Sequence, residues 1–161
     1  KLVGYGRVPY ENLYIPSKRD DDEDKINWAM SVTGVYDIKG ELLSQLSGGQ
    51  RQRAWIAMSL AQDTDTLLLD EPTTFLDIKH QIEVLKLIES LNKEHGISII
   101  MVLHDMNQAM RYSTEVIALK AGKSIAQGAP ESVINEELLK ELYGVELDIV
   151  EVKGKPFVYM A

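Results

Sequence analysis

Cysteine is absent from the 161 residues. Disulfides and thiolate metal sites are therefore excluded, and a reducing compartment fits this composition. No apolar run approaches the roughly 18 or more residues needed to span a bilayer as a helix. Basic residues number 17 against 25 acidic, for a net charge of −8, which argues against a nucleic-acid-binding face as the main role. Internal repeats and low-complexity tracts are lacking as well. The start, Lys1-Leu2-Val3-Gly4, has neither an initiator Met nor a signal-peptide pattern, and the expectation is a fragment whose upstream part is missing. No Gly-x-x-x-x-Gly-Lys-Ser/Thr pattern occurs either, so no phosphate-cradling loop of that type lies within these residues.

What is present is ordinary for a globular domain: 45% hydrophobic and 26% charged residues. Residues 1–19 are rich in Tyr, Pro and Gly and read as irregular, with Tyr5, Tyr10 and Tyr14 packing locally. The acidic run Asp20-Asp21-Asp22-Glu23-Asp24 suits a helix amino end and opens a helix to about Val32. Its inner face is Ile26, Ala29, Met30 and Thr33, and its stop is Gly34. A second helix is expected over 49–61. From Thr66 the grammar becomes α/β. Residues 67–70 form a short apolar strand of the type covered on both faces. Ile82, Leu85, Ile88 and Leu91 make the stripe of a long helix that ends at Gly96. Residues 97–103 are a second buried strand, followed by a helix over 105–112. Segments 116–119 and 124–127 flank a hairpin turn. Pro130 starts a short helix, 136–143 forms another before Gly144, and 147–152 with 156–160 close as an antiparallel pair. The best division lies near residue 62, with helical residues 1–62 before it and α/β residues 63–161 after it.

Two stretches carry chemistry. In Leu46-Ser47-Gly48-Gly49-Gln50, Ser47 is a good N-cap and Gln50 completes a capping box. The glycines let a ligand approach bare backbone amides. The helix behind adds about half a positive charge, so the spot is an anion site. In Leu67-Leu68-Leu69-Asp70-Glu71-Pro72, an apolar strand ends on two carboxylates, where α/β sheets place ligands. One carboxylate of such a pair can hold Mg²⁺, directly or through water, while the other orients and deprotonates an attacking water. His104 ends the next buried strand and is a candidate phosphate-sensing donor. His80 and His95 lie on or just beyond a polar helix face and receive no role.

In their order and spacing, residues 46–50, residues 67–71, Leu76-Asp77 and His104 resemble the ATP-binding-cassette ATPases. They match that family's signature motif, Walker B strand, D-loop and switch histidine, and the resemblance covers essentially the whole chain. A narrower similarity, to bacterial importers of ferric siderophores, haem and cobalamin, rests on three segments. These are Gly6-Arg7-Val8-Pro9-Tyr10, residues 69–77, and Leu103-His104-Asp105-Met106-Asn107-Gln108-Ala109.

The resemblance implies an α/β fold: part of a P-loop NTPase (RecA-like) core with a mainly parallel sheet, preceded by a helical subdomain and ending in short antiparallel strands. It implies ATP and Mg²⁺ as cofactors, with Glu71 as general base, Asp70 as the Mg²⁺ ligand and His104 at the γ-phosphate. Ser47, Gly48, Gly49 and Gln50 become a clamp on ATP held by a second ATPase subunit in a head-to-tail dimer, and Asp77 a cross-dimer contact. The implied partners also include transmembrane permease subunits, met at the cytoplasmic face of the membrane by helix 24–32 and the Tyr-rich start. The family's Walker A loop, adenine-stacking aromatic and Gln loop have no counterpart in these residues, so the 161-residue chain alone is expected not to hydrolyse ATP. A substitution in the signature loop, such as Gly49→Asp, is expected to leave the monomer folded because the loop lies at an exposed helix mouth. Two other readings compete. Cassette ATPases of DNA maintenance carry long heptad arms, which residues 1–45 lack. A non-enzymatic module would only present its signature loop to a partner.

Overall fold

The computed structural model describes residues 1–10 and 18–159. Tyr14, expected to pack with Tyr5 and Tyr10, lies outside the described residues, as does Met160 at the end of the last expected strand. The chain divides into two compact units, Lys1–Val102 and Leu103–Ala161.

The first unit begins with a 3-10 helical stretch, Val3–Tyr10, where an irregular start was expected. Helix α1 spans Lys18–Val32 and helix α2 spans Gly48–Leu60. Strand β1 (Thr66–Asp70) leads through a turn to the long helix α3 (Ile78–His95), which ends at Gly96, and strand β2 (Ser98–Val102) pairs parallel to β1. The register matches Asp70 with Val102, so both strands finish at the same edge. The core draws Ala29 and Met30 from α1, Ile56, Ala57 and Leu60 from α2, and Val84, Ile88 and Leu91 from α3 onto Leu67.

Two expectations change here. Ile82 was placed in the buried stripe of α3 but is exposed, and Val84 takes its place. The strands were read as covered on both faces; instead they alternate. Leu67, Leu69, Ile99 and Met101 meet the helical core, whereas Leu68 is 70% and Ile100 62% exposed. Strand side chains point alternately to opposite faces, and the helical core of this unit gathers on one of them. Leu91, fully buried in that core, is a sensitive probe. Leu91→Ala is expected to cost about 2–5 kcal/mol through lost burial and a cavity, read as a lowered urea midpoint.

The amino-terminal stretch is fastened by one glycine and one arginine. A Cβ on Gly6 would stand 2.1 Å from the Met58 carbonyl oxygen, so only glycine allows this approach to α2. Arg7, buried, donates to the carbonyls of Ala61 (3.0 Å) and Gln62 (3.2 Å) beyond the carboxyl end of α2 and pairs with Asp22 at 2.6 Å. A cation placed at that end also complements the helix dipole.

In the second unit, α4 spans Met106–Tyr112, and β3 (Val116–Lys120) and β4 (Lys123–Gly128) form an antiparallel hairpin. The short helix α5 (Pro130–Val133), α6 (Glu136–Tyr143) and the antiparallel pair β5 (Asp148–Val152) and β6 (Lys155–Tyr159) follow. A small core joins Ala109, Ile134, Leu139 and Val158. Asn107 clamps β6 to α4 by accepting from the Val158 amide (2.8 Å) and donating to the Val158 carbonyl (3.0 Å), replacing the strand partner that an edge otherwise lacks.

Candidate functional site

The mouth of α2 has the expected capping box. Ser47 Oγ accepts from the Gln50 amide at 3.2 Å, and Gln50 Oε1 accepts from the Ser47 amide at 2.9 Å. Ser47 and Gly48 are exposed. The first turn contains no acidic residue, so the unpaired amides and the helix dipole make this end attractive to an anion. The underside of the loop is different. Gly49 is buried, and a Cβ there would lie 2.7 Å from Cγ and 2.8 Å from Nδ1 of His80; one on Gly48 would lie 3.2 Å from Leu76. Glycine is thus required by packing inside the unit as well as suited to a ligand outside it. A side chain at Gly49 would press on the His80 ring, so Gly49→Asp is expected to lower the melting temperature of a fold that the sequence alone expected it to spare.

At the other motif, β1 ends with Asp70 exposed and Glu71 partly buried. Pro72 disfavours right-handed helical geometry for its predecessor, and Glu71 takes φ +46°. For a non-glycine residue the left-handed region costs roughly 1–2 kcal/mol, and such strain gathers where geometry is functional. The turn that holds it is well bonded. Thr74 Oγ1 donates to Glu71 Oε2 at 2.9 Å, and the Thr74 amide donates to the Glu71 carbonyl at 3.2 Å. Asp77 closes the turn as the N-cap of α3, its Oδ1 accepting from the His80 amide at 2.9 Å. Beside it, Phe75 (φ +62°) and Ile78 project into solvent.

The structure brings Gly48 and Gly49 against this turn through Leu76 and His80, within one unit. Sequence reasoning gave His80 no role. The signal was nevertheless present: Asp77, His80 and Glu83 are spaced to share one face of α3. His80 Nδ1 lies 3.0 Å from Glu83 Oε2, which also pairs with Arg53 Nη1 at 3.2 Å. The His80 contact, then the nearby Lys79 and Arg53 charges, hold the Glu83 carboxyl below its ordinary pKa against the opposing effect of burial.

His104 lies in the second unit, exposed, between β2 and α4. Asp105 next to it caps α4, accepting from the amides of Asn107 (2.8 Å) and Gln108 (3.1 Å). The Tyr143 hydroxyl donates to the His104 carbonyl at 3.3 Å. Burial, and then the Asp105 carboxylate, push the Tyr143 pKa above its usual value. Among the described residues no cluster of three or more His, Cys, Asp or Glu side chains is poised to hold a metal, and no helix is long and apolar enough to cross a membrane.

Comparison with known proteins places this geometry. Residues 6–74 match the ABC transporter family profile. It is 50% identical over 157 residues to the petrobactin import ATP-binding protein FpuC of Bacillus anthracis, covering 98% of this chain and 57% of that protein. Among solved structures it resembles a metal-chelate-type ABC transporter in an inward-facing conformation, with TM-score 0.86 at 25% identity over 98% of this chain and 64% of the other. It also resembles the dimeric cassette MJ0796 bound to ADP and phosphate, with TM-score 0.61 at 27% identity over 81% of this chain and 56% of the other. The chain thus spans under two thirds of the length of these relatives. Its fold is of the P-loop NTPase type that cassette ATPases share, ending in short antiparallel strands.

Proposed function

We propose that this chain supplies the signature loop and the hydrolytic carboxylate of an ABC ATPase that drives import of ferric siderophores or related metal chelates. The observation that carries the reading is the mouth of α2. It is a capped, acid-free helix end, with Ser47 and Gly48 exposed and Gly49 packed on the turn that follows Glu71. Residues 1–62 act as the helical subdomain and 63–161 as part of the catalytic core.

Glu71 is the general base. Thr74 holds the carboxylate in place through Oε2, and the carboxylate accepts the proton of a water attacking the γ-phosphorus as ADP departs. Asp70 offers hard oxygen donors for Mg²⁺, directly or through water. That suits an ion commonly held by one or two carboxylates together with substrate phosphates, whose charge would offset that of the phosphates. His104 donates to the γ-phosphate. Ser47, the Gly48 and Gly49 amides and the Gln50 side chain close over ATP bound to a second ATPase subunit. Asp77, with the exposed Phe75 and Ile78 beside it, lies at that head-to-tail contact. The helical subdomain faces permease subunits at the cytoplasmic side of the membrane.

The test is a chimaeric subunit in which residues 1–161 replace the matching portion of the Bacillus anthracis protein. It is expected to hydrolyse ATP. The 161-residue chain alone is expected to show no micromolar Mg-ATP binding by calorimetry, because the loop that holds the β- and γ-phosphates is not among its residues. Tight, magnesium-dependent binding by the chain alone would mean that the phosphate site is misplaced. A folded but inert chimaera would overturn the hydrolytic assignment.

A further inference from the structure

We infer that His80 is a positioning residue for the signature loop: its imidazole, oriented by Glu83 and backed by Arg53, is the wall against which Gly49 is registered. The inference rests on the proposed role of residues 46–50 at nucleotide.

Beside the shared apolar core, two contacts between α2 and α3 lie one turn apart on each helix. At the first, the His80 ring occupies the space that a Gly49 Cβ would need, with ring atoms 2.7 and 2.8 Å from it. At the second, Arg53 meets Glu83 at 3.2 Å. Gly49 and Arg53 share one face of α2, as His80 and Glu83 share one face of α3. An ionised carboxylate only accepts hydrogen bonds, so at 3.0 Å His80 donates Nδ1–H to Glu83, and this bond sets the angle of the ring. The ring's other nitrogen faces Asp77 at 3.9 Å, and the His80 amide bonds the same carboxylate. A closed circuit therefore runs from the Asp77 turn through His80 to Gly49, and back through Glu83 and Arg53.

The circuit is not built for stability alone. Arg53 Nε is buried with no hydrogen-bond partner, an unfavourable arrangement that an apolar pair would avoid. What polar groups add is a fixed ring orientation. A tilt of the ring displaces the Gly49 amide, and about 1 Å of misplacement can cost on the order of 10²-fold in rate.

In the chimaeric subunit, His80→Ala is expected to lower kcat roughly 10- to 100-fold. KM for ATP should hold steady, since the nucleotide's own cradle lies elsewhere. His80→Asn, whose amide can donate from near the Nδ1 position, should restore most of the rate. Glu83→Gln, which keeps the shape and removes the charge, should fall between. On the 161-residue chain a melting-temperature cycle gives an independent reading. Gly49→Ala lowers the melting temperature, and adding His80→Ala recovers part of the loss because the clash is gone. Parental kcat in His80→Ala, or additive melting shifts in the cycle, would overturn the inference. If the chimaera without substitutions proves inert, the functional reading fails, while the melting cycle still decides whether His80 is the wall beneath Gly49.

Discussion

Glu71→Gln in the chimaeric subunit is expected to slow ATP turnover by about 10²–10⁴-fold, the usual cost of losing a general base, while nucleotide binding persists and the ATP-bound dimer accumulates. Glutamine preserves the length and shape of the side chain, and its amide oxygen can still accept from Thr74, which donates to Glu71 at 2.9 Å. The strained turn at φ +46° is therefore retained. What is lost is the capacity to take a proton from water. Asp70→Asn should behave differently, weakening magnesium-dependent binding while sparing the turn. Single-turnover kinetics beside calorimetric affinity separates the two, and a parental hydrolysis rate in Glu71→Gln would remove Glu71 from its role.

Ser47→Arg is expected to abolish ATP-driven dimerisation while leaving nucleotide affinity and fold largely intact. Ser47 is exposed, and its structural duty is the cap on Gln50; losing such a cap costs about 1 kcal/mol, too little to unfold the domain. The arginine puts bulk where, on the proposed reading, the facing subunit's γ-phosphate docks. Gly49→Asp is expected to impair dimerisation too, but with a lowered melting temperature. Its Cβ meets the His80 ring, and its charge lies near Glu83 and Asp77. Measuring melting temperature, nucleotide affinity and ATP-dependent mass side by side distinguishes the variants. Lost affinity in Ser47→Arg with dimerisation intact would contradict a role in trans.

Features governed by near neighbours in the chain were legible in the sequence. The Ser47–Gln50 capping box, the helix ends at Gly34, Gly96 and Gly144, and the strand that finishes on Asp70 depend on residues within a turn or two. Contacts between distant segments were not. Nothing local says that Arg7 will reach the carbonyls of Ala61 and Gln62, or that His80 will lie beneath Gly49. Residues 67–70 read as a doubly covered strand because an unbroken apolar run does not reveal which helices arrive on which face; here they cover the Leu67 face and leave Leu68 open. Asp77 was read for a contact between subunits, and its role as the N-cap of α3 was legible only in its spacing to His80.

The central claim is that the signature loop serves nucleotide held by another subunit, and mixing two defective chimaeras tests it most directly. One carries Ser47→Arg beside an unaltered Bacillus anthracis segment; the other carries an intact signature beside a segment altered so that the chimaera no longer binds ATP. A head-to-tail dimer of the two contains one complete composite site, whereas sites assembled within each subunit would all be broken. The account predicts that neither variant hydrolyses ATP alone and that the mixture regains turnover together with ATP-dependent heterodimer mass. A mixture as inactive as its parts, with both proteins folded, would contradict it.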